Sequence, residues 1–403
     1  MKLLVLSNGH GEDVIAVRII EQLQIVTNNL EIAALPIVGQ GYAYSKLNIP
    51  IAGRVQQMPS GGFIYMGGNP LWSDVRGGLI KLTIEQLKLV RKWGKKDTAI
   101  LAVGDIVPLL YAWLSKANFA FVGTAKSEYY LRNETDWLAK TSSLEKKFGS
   151  VYLPWERWLM SRNTCKAVFP RDSLTTKILQ KWSIPADDLG NPMMDKITPE
   201  IKPSESEKFR VLLLAGSRMP ESLRNWQQIL TALLTVIDEF PAEKLEFLGA
   251  IAPALNLRVF IEAAVTYGWE IAEEKSQMVT LTKSSCDLIL SQENYQQFLQ
   301  QSDMAIAMAG TATEQFVGLG KPAVIMPGSG PQFTYAFAEA QSRLLGCSIL
   351  MVDNPQQVGK AISQVMNDPQ QLINMALNGK RRMGKAGAAK RIAHCLQKKL
   401  LKI

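Results

Sequence analysis

The sequence predicts an α/β protein built from two doubly wound domains with parallel sheets. Short apolar runs alternate with glycine turns and amphipathic helices in both halves of the chain. At 403 residues the chain is too long for one hydrophobic core and suits two domains. A Pro- and charge-rich segment over 196–208 separates the halves, and the pattern restarts after it. We therefore predict domains over 1–200 and 208–378, followed by a basic terminal segment over 379–403.

Composition limits the classes of function. A formal net charge of +9 favours an anionic partner, which could be a lipid surface, a nucleic acid or a phosphorylated substrate. No apolar run reaches the roughly 18 residues that a membrane span needs, and Met1 leads straight into a strand, so we expect a cytoplasmic protein. Four widely spaced cysteines and two histidines leave little material for a zinc site or a disulfide framework.

The first strand leads into a glycine loop. The apolar run Lys2 to Leu6 is followed by Ser7 to Asp13, and the periodicity predicts a helix from Val14 to about Gln24. The glycine spacing is not G-x-G-x-x-G, so it does not indicate dinucleotide binding. His10 lies between two glycines that offer it no core to pack in, which favours a functional role over a structural one.

A carboxylate follows a later strand. The buried run Thr98 to Val103 ends at Gly104-Asp105, at the sheet edge where open α/β sheets place their ligands. Burial would raise the pKa of Asp105 and make it a useful general base. Aspartate is also a good helix N-cap. The residues alone leave both roles open.

Basic charge is concentrated in two segments. A glycine-rich apolar loop over 61–78 precedes a helix predicted from Leu79 to Trp93, and seven Lys or Arg with one acid lie between Arg76 and Lys96. This pattern fits either a packed helix with a solvated basic face or contact with an anionic membrane. Gly379 to Ile403 carries nine Lys or Arg and no acid, which predicts a terminal helix with a basic face. The predicted membrane contacts are Phe63, Ile64, Lys81, Lys88, Arg91 and Lys92.

Three loops of the second half point to an anion site. The strand Arg210 to Leu214 turns at Gly216-Ser217-Arg218 into a helix from about Glu221, and arginine can fork across phosphate oxygens. A second strand breaks at Gly310, where Thr311 and Thr313 are predicted caps of a short helix, and helix N-termini favour anions. A third loop, 327–332, follows the next strand and ends at Gln332.

The order of these motifs resembles that of lipid-A-disaccharide synthases and, more distantly, of the N-acetylglucosaminyl transferases that make peptidoglycan lipid II. The resemblance covers most of the chain and implies the GT-B fold, two Rossmann-like domains whose parallel sheets face a central cleft. The segments that carry it are Gly9 to Asp13, Gly104-Asp105, Phe169-Pro170, Gly190 to Pro192 with Asp195, Gly216 to Arg218, Ala305 to Pro322 and Arg382 to Ala388.

The resemblance implies roles for individual residues. Asp105 matches the proposed catalytic aspartate, with His10 as the other possible base. Gln315 stands at the position of the ribose-binding glutamate, Glu314 lies one residue earlier, and Gln332 is similar to a sugar-contacting glutamine. The final helix is expected to return to the first domain. The donor-diphosphate residues are Gly216, Ser217, Arg218, Gly310, Thr311, Ala312 and Thr313, and the acceptor-loop residues are Gly9, Gly11, Glu12 and Asp13.

The resemblance also implies an activity. We expect inverting transfer of a sugar from a UDP-sugar to a lipid or lipid-linked acceptor, by a cytoplasmic protein peripheral on the inner membrane leaflet. We expect no cofactor and no metal, because the chain contains no Asp-x-Asp triplet. Nucleic acid is not expected, because the basic charge is not interleaved with exposed aromatic residues. The alternatives are a UDP-sugar 2-epimerase of the same fold, which would favour extra acid and base groups, and a catalytically silent membrane-surface protein.

Overall fold

The computed structural model describes residues 1–55, 79–94, 97–197, 208–275 and 277–402. It divides into two compact units: unit 1 is Met1–Lys196 with Gly384–Ile403, and unit 2 is Ile197–Met383. Each unit is an α/β domain built on a largely parallel sheet, as the sequence predicts. Most of the segment predicted to separate the domains lies outside the described residues, as do Phe63 and Ile64.

Unit 1 has a five-stranded sheet in the order β2-β1-β3-β4-β5, and all of its pairings are parallel. Its central strands are buried on both faces because helices cover both sides, which explains their continuous apolar sequences. The strands are β1 (Lys2–Ser7), β2 (Glu31–Pro36), β3 (Thr98–Gly104), β4 (Asn118–Gly123) and β5 (Cys165–Phe169).

In the described part of unit 1, seven α-helices precede the segment that separates the units. Apolar residues of the first helix pack on one face of the sheet, and those of the third, fourth and sixth pack on the other. The helices are α1 (His10–Val26), α2 (Tyr42–Ser45), α3 (Leu79–Trp93), α4 (Ile106–Leu114), α5 (Ser143–Phe148), α6 (Pro154–Met160) and α7 (Ser173–Gln180).

Helix α1 begins four residues earlier than predicted. Gly9 is its N-cap, with φ 115°, and the Asp13 N–H donates to the Gly9 carbonyl at 2.9 Å. Two acids in the first turn, Glu12 and Asp13, complement the positive end of the helix dipole. The predicted acceptor-loop residues after Gly9 therefore lie in a helical turn. His10 is the first helical residue, and its side chain is outside the described set.

Helix α3 has the bounds that the sequence predicts. Its buried residues include Leu82 and Val90. Lys88, Arg91 and Lys92 are exposed on its other side. Helix α3 therefore packs within unit 1 through its apolar residues and carries a solvated basic face. The Lys81 side chain lies outside the described residues.

Unit 2 has an eight-stranded sheet in the order β13-β12-β11-β6-β7-β10-β9-β8. The first six strands are parallel, and β9 and β8 extend the sheet in antiparallel pairing. The strands are β6 (Phe209–Leu214), β7 (Leu245–Ala250), β8 (Glu270–Lys275), β9 (Met278–Lys283), β10 (Cys286–Ser291), β11 (Met304–Ala307), β12 (Ala323–Ile325) and β13 (Ile349–Met351).

Seven α-helices lie in the described residues of unit 2. They are α8 (Glu221–Glu239), α9 (Leu257–Thr266), α10 (Tyr295–Gln301), α11 (Thr311–Gly318), α12 (Tyr335–Leu345), α13 (Val358–Met366) and α14 (Pro369–Met383). The predicted threonine caps of α11 were wrong. Gly310 is the N-cap, Thr311 is already helical, and the Thr313 hydroxyl donates to the Ala309 carbonyl at 2.6 Å.

The basic C-terminal segment is two helices instead of the single helix predicted. Helix α14 ends at Met383, and α15 (Ala388–Leu396) begins after Gly384 and Gly387, which have φ 77° and 84°. The Asp195 carboxylate accepts the N–H groups of Gly387 (2.7 Å), Ala388 (2.9 Å) and Ala389 (2.7 Å). Helix α15 thereby packs beside α1 in the core of unit 1.

Several basic side chains of this segment have structural partners. Arg382 donates to the carbonyls of Arg343 and Leu344 at the end of α12, and Arg391 donates to the Leu189 carbonyl. Lys399 forms an ion pair of 2.7 Å with Asp187. Some of the basic side chains that the sequence predicts on a surface face therefore form contacts within their own unit. Among the described helices, none is long and apolar enough to cross a membrane.

Candidate functional site

In unit 2 two helices begin side by side at the sheet edge. Strands β6 and β11 are neighbouring parallel strands, so the turns that follow them meet at one edge. The Asn225 amide on α8 joins these turns, because it donates to the carbonyls of Ala215 (3.1 Å) and Met308 (3.4 Å). A side chain at Gly216, which has φ 93°, would place its Cβ 3.3 Å from the Met308 carbonyl oxygen. The close approach of the two turns therefore requires glycine there.

The groups at this edge suit an anion. The first turns of α8 and α11 present backbone N–H groups and the positive ends of two helix dipoles. Ser217 and Thr311 are exposed, and Ala312 and Arg218 are half-buried. Burial lowers the pKa of Arg218, and the negative charge of Glu221 opposes that effect. The arrangement can bind a diphosphate through main-chain donors and one guanidinium.

The third loop is tied to the start of α8. The Glu221 carboxylate accepts the backbone N–H groups of Gln332 (3.1 Å) and Phe333 (2.6 Å). A Cβ at Gly330 would lie 2.2 Å from the Glu221 carboxyl carbon, so the loop can pass only because that residue is glycine. The Gln332 side chain is exposed at this edge. Glu221 was predicted only as a helix start, because its partners lie more than 100 residues away.

The predicted ribose-binding residues lie on α11. Glu314 and Gln315 are both buried, and the Tyr295 hydroxyl donates to the Gln315 carboxamide oxygen at 2.6 Å. Helix α12 supports the start of α11 through Gln341, whose amide donates to the carbonyls of Ala309 and Gly310, each at 3.1 Å. The structure therefore places both residues on the helix that carries the second glycine turn.

In unit 1 Asp105 is the N-cap of α4. Its Oδ1 accepts the Val107 N–H at 2.9 Å, and its Oδ2 accepts the Asn8 amide at 3.1 Å. Burial raises the pKa of Asp105, while the hydrogen bond from Val107 lowers it. Asp105 therefore acts as a helix N-cap, one of the two roles that the sequence left open, and both of its carboxylate oxygens accept hydrogen bonds.

A second carboxylate lies beside Asp105. Glu12, on the first turn of α1, accepts a hydrogen bond from the Thr124 hydroxyl at 3.3 Å, across the end of β3. Gly104 makes this crossing possible, since a Cβ there would lie 3.3 Å from the Glu12 Cγ. Burial, followed by the charge of Asp105, raises the pKa of Glu12 to about 7, against the hydrogen bond from its own backbone N–H. Sequence reasoning placed Glu12 in the acceptor loop and missed its acid–base character.

The other residues of the predicted acceptor loop differ in their surroundings. Asp13 is buried, and its carboxylate accepts the Ser7 hydroxyl at 2.6 Å. The same Ser7 oxygen lies 2.6 Å from the Tyr44 hydroxyl, in a buried chain of hydrogen bonds. Gly11 is exposed with open space where a side chain would be. Asp13 therefore has a structural contact inside unit 1, and Gly11 lies at its surface.

Charged groups extend the cluster along the same edge. Lys126, which follows β4, forms an ion pair of 2.5 Å with the buried carboxylate of Glu156 on α6. The charge of Glu156 raises the pKa of Asp105, and that of Lys126 lowers it. In the described part of the chain, no group of three or more His, Cys, Asp or Glu side chains is placed to hold a metal ion.

Comparisons with known proteins bear on the fold. No protein-family model and no curated protein matches this sequence. Among solved structures, S. aureus MnaA with UDP superposes with a TM-score of 0.58 at 15% identity, over 100% of this chain and 98% of that one. Acinetobacter baumannii MurG gives 0.58 at 15% identity, over 98% and 99%. UDP-GlcNAc 2-epimerase from Neisseria meningitidis, bound to UDP-GlcNAc, gives 0.54 at 16% identity, over 99% and 100%. The chain therefore has the two-domain α/β architecture of the GT-B fold.

Proposed function

We propose that the protein is a UDP-sugar-dependent glycosyltransferase. The observation that carries the proposal is the pair of helices α8 and α11, each preceded by a glycine turn and joined through Asn225 at one edge of the unit 2 sheet, with Arg218 in the first of these turns. Such a pair suits the diphosphate of a nucleotide sugar. The fold neighbours support this assignment, because they include a protein bound to UDP and another bound to UDP-GlcNAc.

The two units would supply the two halves of the reaction. In unit 2 the helix ends, each contributing roughly 0.3 to 2 kcal/mol toward a bound anion, and Arg218 stabilise the departing diphosphate without a metal. In unit 1 the sheet edge that carries Asp105 and Glu12 supplies the group that removes the proton from the acceptor hydroxyl. His10, the first residue of α1, is the other base that the resemblance suggests. Attack from the face opposite the diphosphate inverts the anomeric carbon.

The acceptor that we propose is a lipid or a lipid-linked sugar on the cytoplasmic leaflet. The resemblance to lipid-A-disaccharide synthases supports this, and so does the exposed basic face of α3, formed by Lys88, Arg91 and Lys92. Ile84 of the same helix is 48% exposed, so apolar surface adjoins the charge. Basic residues beside apolar surface favour an anionic bilayer. In this hypothesis Phe63 and Ile64, which the sequence predicts as membrane contacts, also meet the bilayer.

A second candidate is a UDP-sugar 2-epimerase. The sequence disfavours it because histidines are scarce and few other acid–base groups stand out. The structure weakens that objection, since Glu12 and Asp105 are neighbouring carboxylates with raised pKa values. Two neighbouring carboxylates are also a suitable base and acid for removing and returning a proton at a sugar carbon.

Calorimetry with UDP in the presence of EDTA tests the donor site. Arg218→Ala should weaken binding by roughly 1.5 to 3 kcal/mol, about tenfold to 150-fold, because it removes charge-assisted hydrogen bonds to the diphosphate. Arg258→Ala, on the exposed surface of α9, is the matched control and should bind UDP as the wild type does. A wild-type protein that does not bind UDP, or binding that survives Arg218→Ala unchanged, contradicts the proposal.

Product analysis separates the two enzyme classes. The protein is incubated in D₂O with a panel of UDP-sugars, with and without a total lipid extract, and the products are followed by NMR. A transferase releases UDP only when an acceptor is present, and a new glycoside appears. An epimerase converts the UDP-sugar alone to a second UDP-sugar that carries deuterium at C2.

A further inference from the structure

The Glu12 side chain lies over three adjacent strands of unit 1. It starts from the helix that follows β1, crosses Gly104 at the end of β3, and receives the Thr124 hydroxyl from the end of β4 at 3.3 Å. Carboxyl ends of parallel strands are where open α/β sheets bind their ligands. The side chain is half-buried, so it is accessible from outside, whereas the adjacent Asp13 is buried against Ser7. Of the two acids in this turn, Glu12 is the one that a substrate can reach.

Asp105 is committed to two structural contacts. One carboxylate oxygen caps α4 through the Val107 N–H, and the other holds the Asn8 amide. Hydrogen bonds donated to a carboxylate stabilise its charged form and fix its orientation, so they make it a weaker base. Protonating Asp105 would also weaken the cap of α4. Glu12 has the Thr124 hydroxyl and its own backbone N–H as donors, and it caps no other helix.

The charged surroundings of Glu12 are mostly acidic. Its own helix contributes Asp13 and the start of α4 contributes Asp105, whereas the Tyr44 phenol of α2 stays neutral because burial raises its pKa well above the usual value. Each negative charge near Glu12 increases its affinity for a proton. Burial first, and then the charges of Asp105 and Asp13, raise the pKa of Glu12 to about 7, close to the pH at which a base works best in a cell.

Asp105 has a second set of charged neighbours. The Glu156 carboxylate of α6 lies close enough to raise its pKa, and the Lys126 ammonium, paired with Glu156 at 2.5 Å, lowers it. The pKa of Asp105 is nevertheless raised, first by burial, so these charges do not decide which acid takes the proton. The contacts of the two carboxylates decide it, because both oxygens of Asp105 hold structural partners and Glu12 is accessible.

We propose that Glu12 is the general base of this site and that Asp105 is a positioning residue. This inference rests on the proposed glycosyl transfer. The acceptor hydroxyl gives its proton to the Glu12 carboxylate as its oxygen bonds to the anomeric carbon, and the bond from that carbon to the diphosphate breaks, so UDP leaves with the electron pair. Thr124 orients the carboxylate, and Gly104 leaves room for it.

The test compares variants over pH 5 to 9 with the UDP-sugar and lipid extract that give turnover. Glu12→Gln should lower kcat by roughly 10² to 10⁴ and remove the decline of activity at acidic pH, with UDP affinity unchanged. Asp105→Asn should keep that decline but move it to lower pH, because a negative charge beside Glu12 is lost. Thr124→Val should move it to higher pH, because the ionised form loses a hydrogen bond. Glu31→Gln, at an exposed pair with Lys2, is the control and should match the wild type.

Two results overturn the inference. One is a Glu12→Gln protein that turns over normally, and the other is an Asp105→Asn protein that loses the acidic decline while Glu12→Gln keeps it. UDP calorimetry on each variant shows that the fold and the donor site are intact. A wild-type protein that binds UDP but forms no glycoside in any combination overturns the proposed function, and this inference with it. The two failures are therefore distinguishable.

Discussion

Two glutamates hold comparable places in the two units and do different work. Glu221 lies in the first turn of α8, the helix that follows β6, and Glu12 lies in the first turn of α1, the helix that follows β1. Glu221 accepts the backbone N–H groups of Gln332 and Phe333, and so fixes a loop. Glu12 instead lies beside Asp105 with a raised pKa.

The difference lies in which donors surround each carboxylate. At the unit 2 edge the Glu221 carboxylate accepts backbone N–H groups of the third loop, and the anion-binding groups that we propose there are main-chain N–H groups and Arg218. At the unit 1 edge Glu12 is half-buried and accessible, and burial raises its pKa and that of Asp105. We therefore propose that the same order of strand, glycine turn and helix serves anion binding in unit 2 and proton transfer in unit 1.

The largest expected effect concerns membrane contact by unit 1. Replacing Lys88, Arg91 and Lys92 by glutamine should weaken sedimentation with anionic liposomes by up to about 3 kcal/mol, roughly 150-fold, since each basic residue near an anionic leaflet contributes about 1 kcal/mol. The matched control replaces Lys46, Lys360 and Lys390, three exposed lysines elsewhere, and loses the same net charge. Binding should fall with salt. Equal losses in both triple variants would show that net charge, and not the α3 face, binds the lipid.

The loop held by Glu221 gives the next effect. Gly330→Ala places a methyl group within 2.2 Å of the Glu221 carboxyl carbon, so it should lower the free energy of unfolding by about 1 to 3 kcal/mol through overpacking. Gly11→Ala is the control from the other edge, where nothing lies within 4 Å of the new methyl. It should be neutral or slightly stabilising, because alanine favours a helix. Urea denaturation measures both, and equal losses would show that the loop contact is not the cause.

The raised pKa of Glu12 can be tested by measuring the free energy of unfolding as a function of pH. Its pKa is raised from 4.5 to about 7, so between these pH values the folded protein keeps a proton that the unfolded chain has released. Stability from this group is therefore present at acidic pH and lost as pH rises through 7. Glu12→Gln lacks this loss and should be more stable than the wild type at pH 8, by on the order of 1 to 2 kcal/mol. Denaturation midpoints measured from pH 4.5 to 8 check this, and parallel curves for the two proteins would refute it.

The smallest effect concerns the ribose. Glu314 and Gln315 are the two candidates, and we expect Glu314 to contact a ribose hydroxyl because a carboxylate accepts a stronger hydrogen bond than a carboxamide does. Glu314→Ala should weaken UDP binding by about 1 kcal/mol, roughly fivefold, and Gln315→Leu should weaken it less. Tyr295→Phe keeps the ring and removes only the hydroxyl, which makes it the control for Gln315. The reverse order of affinities would assign the ribose to Gln315.

The sequence predicted those parts of the fold that local patterns determine. Helix α3 has its predicted bounds, and the turns at Gly216 and Gly310 lie where glycine follows an apolar run. Strand β2 was not predicted, because its Glu, Ala and Leu residues also suit a helix and only pairing with β1 decides its conformation. The exposed, charged strand β8 likewise depends on its hairpin partner β9.

The site was predictable in its residue types but not in its contacts. Glu12 and Thr124 are 112 residues apart, and Glu221 and Gln332 are 111 apart, so no local pattern reports either contact. The early start of α1 determines which acid is accessible. That early start depends on the positive φ of Gly9. Carboxylates whose partners come from distant strands can be assigned only once the sheet order is known.

The most direct test of the division between the two edges measures UDP affinity and turnover in the same two variants. Arg218→Ala should lose UDP affinity by roughly tenfold to 150-fold, whereas Glu12→Gln should bind UDP as the wild type does and lose turnover by roughly 10² to 10⁴. A Glu12→Gln protein that loses UDP affinity as strongly as Arg218→Ala, or one that keeps its turnover, would contradict the assignment of anion binding to unit 2 and proton transfer to unit 1.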